Sequence, residues 1–283
     1  MNGATGNGET GSGGTGNEAE KNALLGLPPV PPERTVPYGE HPSQVVDLYG
    51  VGAPGPRITV LHGGYWREAY DRTHLTPFAA ALAERGMTVE LVEYRRVGGG
   101  GGWPVTAQDV DAALGLLGPP DVLLGHSAGG QLALWAAGSA GAACSSGSAG
   151  APGTSGSGGS EPFGAAPGRD RAADRVVAVA PVADLERACR LRLSADAVRE
   201  FLGGDVQSGG FAERMAEADP MRVPPRVPVE ILHGTADEVV PLELSRRYAG
   251  DWGARLNLLT GAGHYAAFTP GTPAFGVLVD ALG

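Results

Sequence analysis

The chain has 283 residues, 42% of them hydrophobic, so it can bury a substantial core and wholesale disorder is excluded. Glycine is the outlier at 47 residues, but no Gly-X-Y period accompanies it, which excludes a collagen-like rod. The formal net charge is −10, Lys21 is the only lysine among the arginines, and no basic run occurs, so no nucleic-acid partner is expected.

Residues 1–21 lack the basic start and apolar stretch of a secretory signal. No window reaches the ~18 uncharged apolar residues of a membrane span. A cytoplasmic protein away from the membrane is expected. Cys144 and Cys189 stand far apart in unlike surroundings and read as unpaired thiols of a reducing compartment.

In chain order, residues 1–22 are Gly, Asn, Thr, Ser and Glu with almost nothing to bury, and read as a disordered tail. A single domain is expected over 23–283. Strand patterns fall at 57–61 (RITVL), 88–94 (TVELVEY), 121–124 (DVLL), 175–180 (RVVAVA), 229–232 (VEIL) and 255–259 (RLNLL). They are β-branched or leucine-rich with little polar alternation, as in strands buried on both faces of a parallel sheet. Helical patterns at 75–85, 105–117, 128–137, 242–252 and 273–282 separate them, which implies an α/β fold. The five glycines at 98–102 read as slack between a strand and a helix. The Gly/Ser/Ala tract at 139–170, with Phe163 its only large apolar residue, reads as a flexible insert. Two amphipathic pieces within 185–222 read as a small helical cap over the carboxyl edge of the sheet.

The strongest chemical signal is Gly125-His126-Ser127-Ala128-Gly129. It follows the DVLL strand and opens a helix, the context that makes G-x-S-x-G a nucleophile elbow. The turn is tight, and a Cβ on Gly125 or Gly129 would crowd the neighbouring chain. A serine hydroxyl needs a base, and the base an orienting acid, here expected downstream in the order acid then histidine. Only two histidines follow Ser127. His233 ends a strand and reads as structural; His264, in the GAGHY loop after the last strand, is the candidate base. Asp237, in GTADEVVP after the penultimate strand, is the candidate acid, with Asp184 after the RVVAVA strand as its rival and Glu238 a solvated charge.

Upstream, Leu61-His62-Gly63-Gly64-Tyr65-Trp66 directly follows a strand. The backbone N–H groups of Gly63, Gly64 and Ala128 are candidate oxyanion donors, with His62 bracing the loop. Tyr65, Trp66, Trp103 and Tyr265 flank these loops and are candidates for an aromatic substrate pocket, with Arg67 the nearest cation in sequence. No metal-ligand spacing and no phosphate-cradling loop occurs, so no metal or cofactor is expected.

Taken together, HGGYW, GHSAGG, GTADEVVP and GAGHY resemble the α/β-hydrolase fold of serine esterases. Tyr38-Gly39, Asp47-Leu48-Tyr49, HGGYWR, Tyr94-Arg95-Arg96 and Trp103-Pro104 are similar to the kynurenine formamidase (arylformamidase) branch and its esterase relatives. The resemblance spans residues 36–283; the insert and the five-glycine loop depart from it. It implies hydrolysis of a small-molecule ester or N-formyl aryl amide through an acyl-enzyme. A peptidase or lipase on the same fold and a non-catalytic binding protein stay open as alternatives.

Overall fold

The computed structural model describes residues 16–139, 172–204 and 209–283. The described residues open with a helix, α1 (Gly16–Leu25), followed by two strands, β1 (Arg34–Pro37) and β2 (Val45–Tyr49). Then come β3 (Arg57–Leu61), α2 (Thr76–Ala83), β4 (Thr88–Val92), α3 (Val105–Leu117), β5 (Val122–His126), α4 (Ala128–Ser139) and β6 (Arg175–Val179). Three helices follow: α5 (Leu185–Arg190), α6 (Leu193–Phe201) and α7 (Phe211–Ala218). The chain ends with β7 (Val229–Gly234), α8 (Leu242–Trp252), β8 (Arg255–Leu259) and α9 (Pro273–Leu282).

The strands form one eight-stranded sheet in the order β1-β2-β4-β3-β5-β6-β7-β8. β1 pairs antiparallel with β2, and β2 antiparallel with β4; the pairings among β4, β3, β5, β6, β7 and β8 are all parallel. The apolar runs that looked featureless in sequence alternate between two cores. On β5, Leu123 faces the core built with α3, α4 and α8, while Val122 and Leu124 face the core built with α1, α2 and α9. On β6, Val176 and Ala178 face the first core, Val177 and Val179 the second. A strand with period-two side chains and helices on both faces needs apolar residues at every position.

Two expectations change. The antiparallel edge was not among the expected strands, because Val45–Tyr49 (VVDLY) carries Asp47, which is buried against Arg72 rather than exposed. Residues 16–22, placed in the disordered tail, belong to α1 instead. Asn17, Glu20, Lys21 and Leu24 follow the 3–4 spacing of one helix face, and that face docks inward through Leu24, 1% exposed. Burying that leucine contributes about 1.5–3 kcal/mol. Residues 1–15 of the tail, residues 140–170 of the insert, and Cys144 lie outside the described residues. Cys189 is buried and unpaired. Among the described residues no helix is long and apolar enough to cross a membrane.

Candidate active site

The site lies where the loops after β3, β5, β7 and β8 converge at the carboxyl ends of parallel strands. Ser127 sits between β5 and α4 with φ 55°, the left-handed backbone a sharp elbow demands of a non-glycine residue. Its N–H donates to the Val179 carbonyl at 2.9 Å, which ties the turn to β6. The flanking glycines are required for close approach. A Cβ on Gly129 would run into the carbonyl oxygens of Leu61 and His62, and one on Gly125 into the backbone of Gly129 and Gly130.

The loop after β3 crosses so close that a Cβ on Gly63 would stand 3.1 Å from the Ser127 Cβ. Gly64, Tyr65 and Trp66 all have positive φ (116°, 51° and 56°). For the two aromatics that conformation costs about 1–2 kcal/mol each. Burial outweighs it. Trp66 is fully buried, stacked on Phe201 with ring centroids 4.3 Å apart, and donates its indole N–H to Gln131 at 3.1 Å. An indole removes about 150–250 Å² from water, roughly 4–6 kcal/mol at 25 cal/mol/Å². Tyr65 donates its hydroxyl to the Val239 carbonyl at 2.9 Å, linking this loop to the one after β7. His62 faces the Gly63 carbonyl at 2.8 Å and Glu93 at 3.0 Å and stacks on Tyr94, so both its nitrogens are spent on bracing.

His264 and Asp237 meet directly. His264 Nδ1 donates to Asp237 Oδ2 at 2.7 Å, and Oδ1 accepts the N–H groups of Val239 and Val240, both at 2.8 Å. Burial opposes ionisation of Asp237, but hydrogen bonds from His233 and His264, the His264 charge and the Val240 N–H outweigh it, and the carboxyl titrates well below its usual range. His233 is structural, as expected: Nε2–H donates to the Val240 carbonyl at 3.0 Å and Nδ1 accepts from the Ser245 hydroxyl at 2.7 Å. Asp184 caps α5 through the Arg187 N–H and pairs with Arg247, engagements separate from His264.

Ser127, His264, Gly63, Gly64, Tyr65 and Tyr265 line one cavity of about 230 Å³. No hydrogen bond joins the Ser127 hydroxyl to His264 in this arrangement; such contacts tighten when substrate is bound. With Nδ1–H committed to Asp237, Nε2 is the His264 nitrogen left free to accept a proton. Ala128 begins α4, so its N–H belongs to the unpaired first turn of a helix. Gly63 and Gly64 line the same cavity as Ser127, and Ala128 follows the serine directly, so the three candidate oxyanion donors lie close to it.

Two aromatic candidates are displaced from the pocket. Trp66 is core, and Trp103 packs edge-on against Trp135 and Phe201 with its N–H on Glu217. Large apolar rings at strand ends fill the space under the α5–α7 segment before they wall a cavity. Arg67 borders the cavity, but its guanidinium is held by Glu200, Ser194 and Ala195.

The sequence reading passed over four residues. Asn17, Glu20 and Lys21 come from α1: the first two hold the His264 loop, and Lys21 borders the cavity beside the Tyr70 hydroxyl at 3.3 Å. His126 is the fourth. Its Nε2 donates to the His264 carbonyl at 3.0 Å, its ring lies against His264, and burial and the His264 charge keep it far less basic than a free imidazole. The helical 17/20/21/24 spacing was the available signal for α1.

Comparison with known proteins agrees with this architecture. A model described as the alpha/beta hydrolase family matches residues 60–274. No curated protein matches the chain. The fold is similar to esterase B from Lactobacillus rhamnosis, solved in an inhibited form, at 20% identity over 94% of this chain and 93% of that one, with TM-score 0.67. It is also similar to a truncated carbohydrate esterase from gut microbiota (20% identity, 89% and 97% covered, TM-score 0.67). Thermogutta terrifontis esterase 2, phosphoramylated by tabun, matches at 20% identity over 90% and 93% of the two chains, with TM-score 0.59. At such identities the likeness establishes the fold.

Proposed function

Because the chain belongs to the alpha/beta hydrolase family, we propose that it is a serine hydrolase cleaving small carboxylic esters, or N-formyl aryl amides, through an acyl-enzyme. One observation carries the reading: His264, which lines the same cavity as Ser127, donates its Nδ1 proton to the buried Asp237 at 2.7 Å. Ser127 attacks the carbonyl as His264 Nε2 takes its proton, and Asp237 stabilises the imidazolium that forms. The Gly63, Gly64 and Ala128 amides hold the oxyanion, each donor supplying on the order of 3 kcal/mol. His264 then protonates the leaving group, and water activated by the same ring clears the acyl-enzyme.

A cavity of about 230 Å³ is smaller than the ~300–1,000 Å³ that holds a drug-sized ligand. That size favours small molecules over the peptide or lipid chains of the alternative readings. The formamide reading draws on the HGGYW resemblance and on Lys21, a cation at the cavity for which the described residues provide no carboxylate partner. It would face the carboxylate of N-formylkynurenine, in place of Arg67, the nearest cation in sequence, whose guanidinium is already held. The unpaired Cys189 thiol suits the reducing cytoplasm.

The deciding experiment measures kcat/KM for p-nitrophenyl esters of increasing chain length and for N-formylkynurenine, with wild type and Ser127→Ala. Short acyl groups should turn over fastest, and Ser127→Ala should lose about 10⁴–10⁶-fold in kcat. Steep decline from formyl to butyryl with turnover of N-formylkynurenine selects the formamidase. A flat series without it selects a general carboxylesterase. Absence of all turnover, with no labelling of Ser127 by a fluorophosphonate, would refute the proposal.

A further inference from the structure

We propose that α1 is part of the catalytic apparatus: Asn17 and Glu20 are positioning residues that lock the acid loop and the base loop into register. The inference rests on the reading of Asp237 and His264 as acid and base. Asn17, 6% exposed, spans the two loops. Its Nδ2 donates to the carbonyl of Ala236, the residue before Asp237, at 2.7 Å, and its Oδ1 accepts the N–H of His264 at 2.9 Å. One amide therefore brackets the His264–Asp237 hydrogen bond from the backbone side.

Glu20 completes the latch. Its carboxylate accepts the N–H of Gly263 at 2.8 Å and those of Tyr265 and Ala266 at 3.1 Å each. With Asn17 on His264, four consecutive amides are held by two side chains of one helix. Converging N–H groups make a partly positive concavity that suits a carboxylate. Gly263 clears the space: a Cβ there would stand 2.6 Å from Glu20 Oε2 and 2.8 Å from Asn17 Oδ1. His126 holds the His264 carbonyl from the other side at 3.0 Å. The base is thus fixed at both backbone polar atoms, and α1 supplies one of the two grips.

A loop freed by about 1 Å at the reacting centre loses up to about 10²-fold in rate. Asn17→Ala and Glu20→Gln are therefore expected to lower kcat about ten- to a hundredfold, while KM for a small neutral ester stays within about threefold. Asn17→Asp keeps the acceptor for the His264 N–H and should recover part of the loss. Glu20→Gln keeps the shape but sets an NH₂ against N–H donors. A spectroscopic readout separates positioning from bulk stability: the downfield proton resonance of the His264–Asp237 hydrogen bond should broaden or vanish in folded Asn17→Ala. A further measurement needs no variant. In wild-type protein the amides of residues 263–266 should exchange with deuterium no faster than those of α1. Unprotected exchange there, or kcat within twofold of wild type with the resonance intact in both variants, would overturn the latch. Should wild type turn over no ester, the proposed function fails, while exchange and the resonance still decide the latch.

Discussion

Replacing Asp237 by asparagine changes one atom and should invert the proton map of the site. The Oδ1 position accepts two backbone N–H groups, from Val239 and Val240, both at 2.8 Å. The Oδ2 position faces His264 Nδ1 at 2.7 Å and His233 Nε2 at 3.4 Å. An asparagine must therefore put its oxygen on the Oδ1 side, because an NH₂ there would oppose two close donors. Its nitrogen then stands 2.7 Å from His264 Nδ1 and donates, so Nδ1 accepts and the ring proton moves to Nε2. A ring protonated at Nε2 cannot take the Ser127 proton. Tautomer inversion of this kind lowers kcat by about 10⁴-fold, or about 5.5 kcal/mol at 1.36 kcal/mol per decade. The His233 N–H facing an NH₂ adds about 1–2 kcal/mol of destabilisation. The assays are single-turnover ester hydrolysis and nitrogen-15 NMR of the His264 ring. Folded Asp237→Asn keeping more than a tenth of wild-type kcat, or a ring still protonated at Nδ1, would falsify the reasoning.

Asp184→Asn is the matching control. That side chain caps α5 and pairs with Arg247, so kcat should stay within about twofold; collapse of activity would move the acid to the β6 loop. Stability should fall in acid in two stages, followed as urea midpoints. Burial above all pushes His74 down to about 4, below its unfolded value of about 6.5. The unfolded chain then binds more protons than the folded one, and stability is lost as pH falls through that window. His126, also held low, adds the same sign, and Asp237, held below its usual value, adds a loss below about pH 3.8. Constant stability from pH 6.5 to 4 would contradict this. Gly129→Ala drives a methyl into two carbonyl oxygens and should cost about 3 kcal/mol or more, read by thermal unfolding; an unchanged Tm would mean the elbow is not under close approach.

The catalytic candidates were legible because their chemistry dictates local backbone. Gly125 and Gly129 are glycine since any Cβ collides, and that constraint is written in the motif around Ser127. The six parallel strands were legible because burial on both faces forces continuous apolar runs. The edge β1–β2 was not: its buried Asp47 is made tolerable by Arg72, 25 residues away, a pairing no local pattern carries. α1 failed for the same reason. Its docking face is Asn17, Glu20, Lys21 and Leu24, polar at three of four positions, because it meets backbone N–H and carbonyl groups of two loops rather than a greasy core. A search for apolar periodicity discards such a helix. Two pocket aromatics failed in the opposite sense: Trp66 follows the Gly63-Gly64 turn and Trp103 precedes α3, but position in sequence does not say which side of a loop a ring takes.

Five histidines lie in or beside this site, and ring chemistry rather than motif position singles out the proposed base. A general base needs one nitrogen oriented by an anion and the other free. His62 and His233 have both nitrogens engaged by protein oxygens. His74 and His126 each have one nitrogen on a backbone carbonyl, of Asp71 and His264 respectively. A neutral carbonyl stabilises an imidazolium far less than a carboxylate does, and burial pushes both rings down, so neither suits transient protonation. His264 combines a carboxylate on Nδ1 with an uncommitted Nε2 at the cavity of Ser127. In the proposed mechanism the low-lying Asp237 carboxyl matters in the same way: it would remain anionic while the ring gains its proton, so the ion pair would form where the charge develops. The two neighbouring rings then support the pair without competing for the proton, His126 from the His264 carbonyl and His233 from the Asp237 carboxylate.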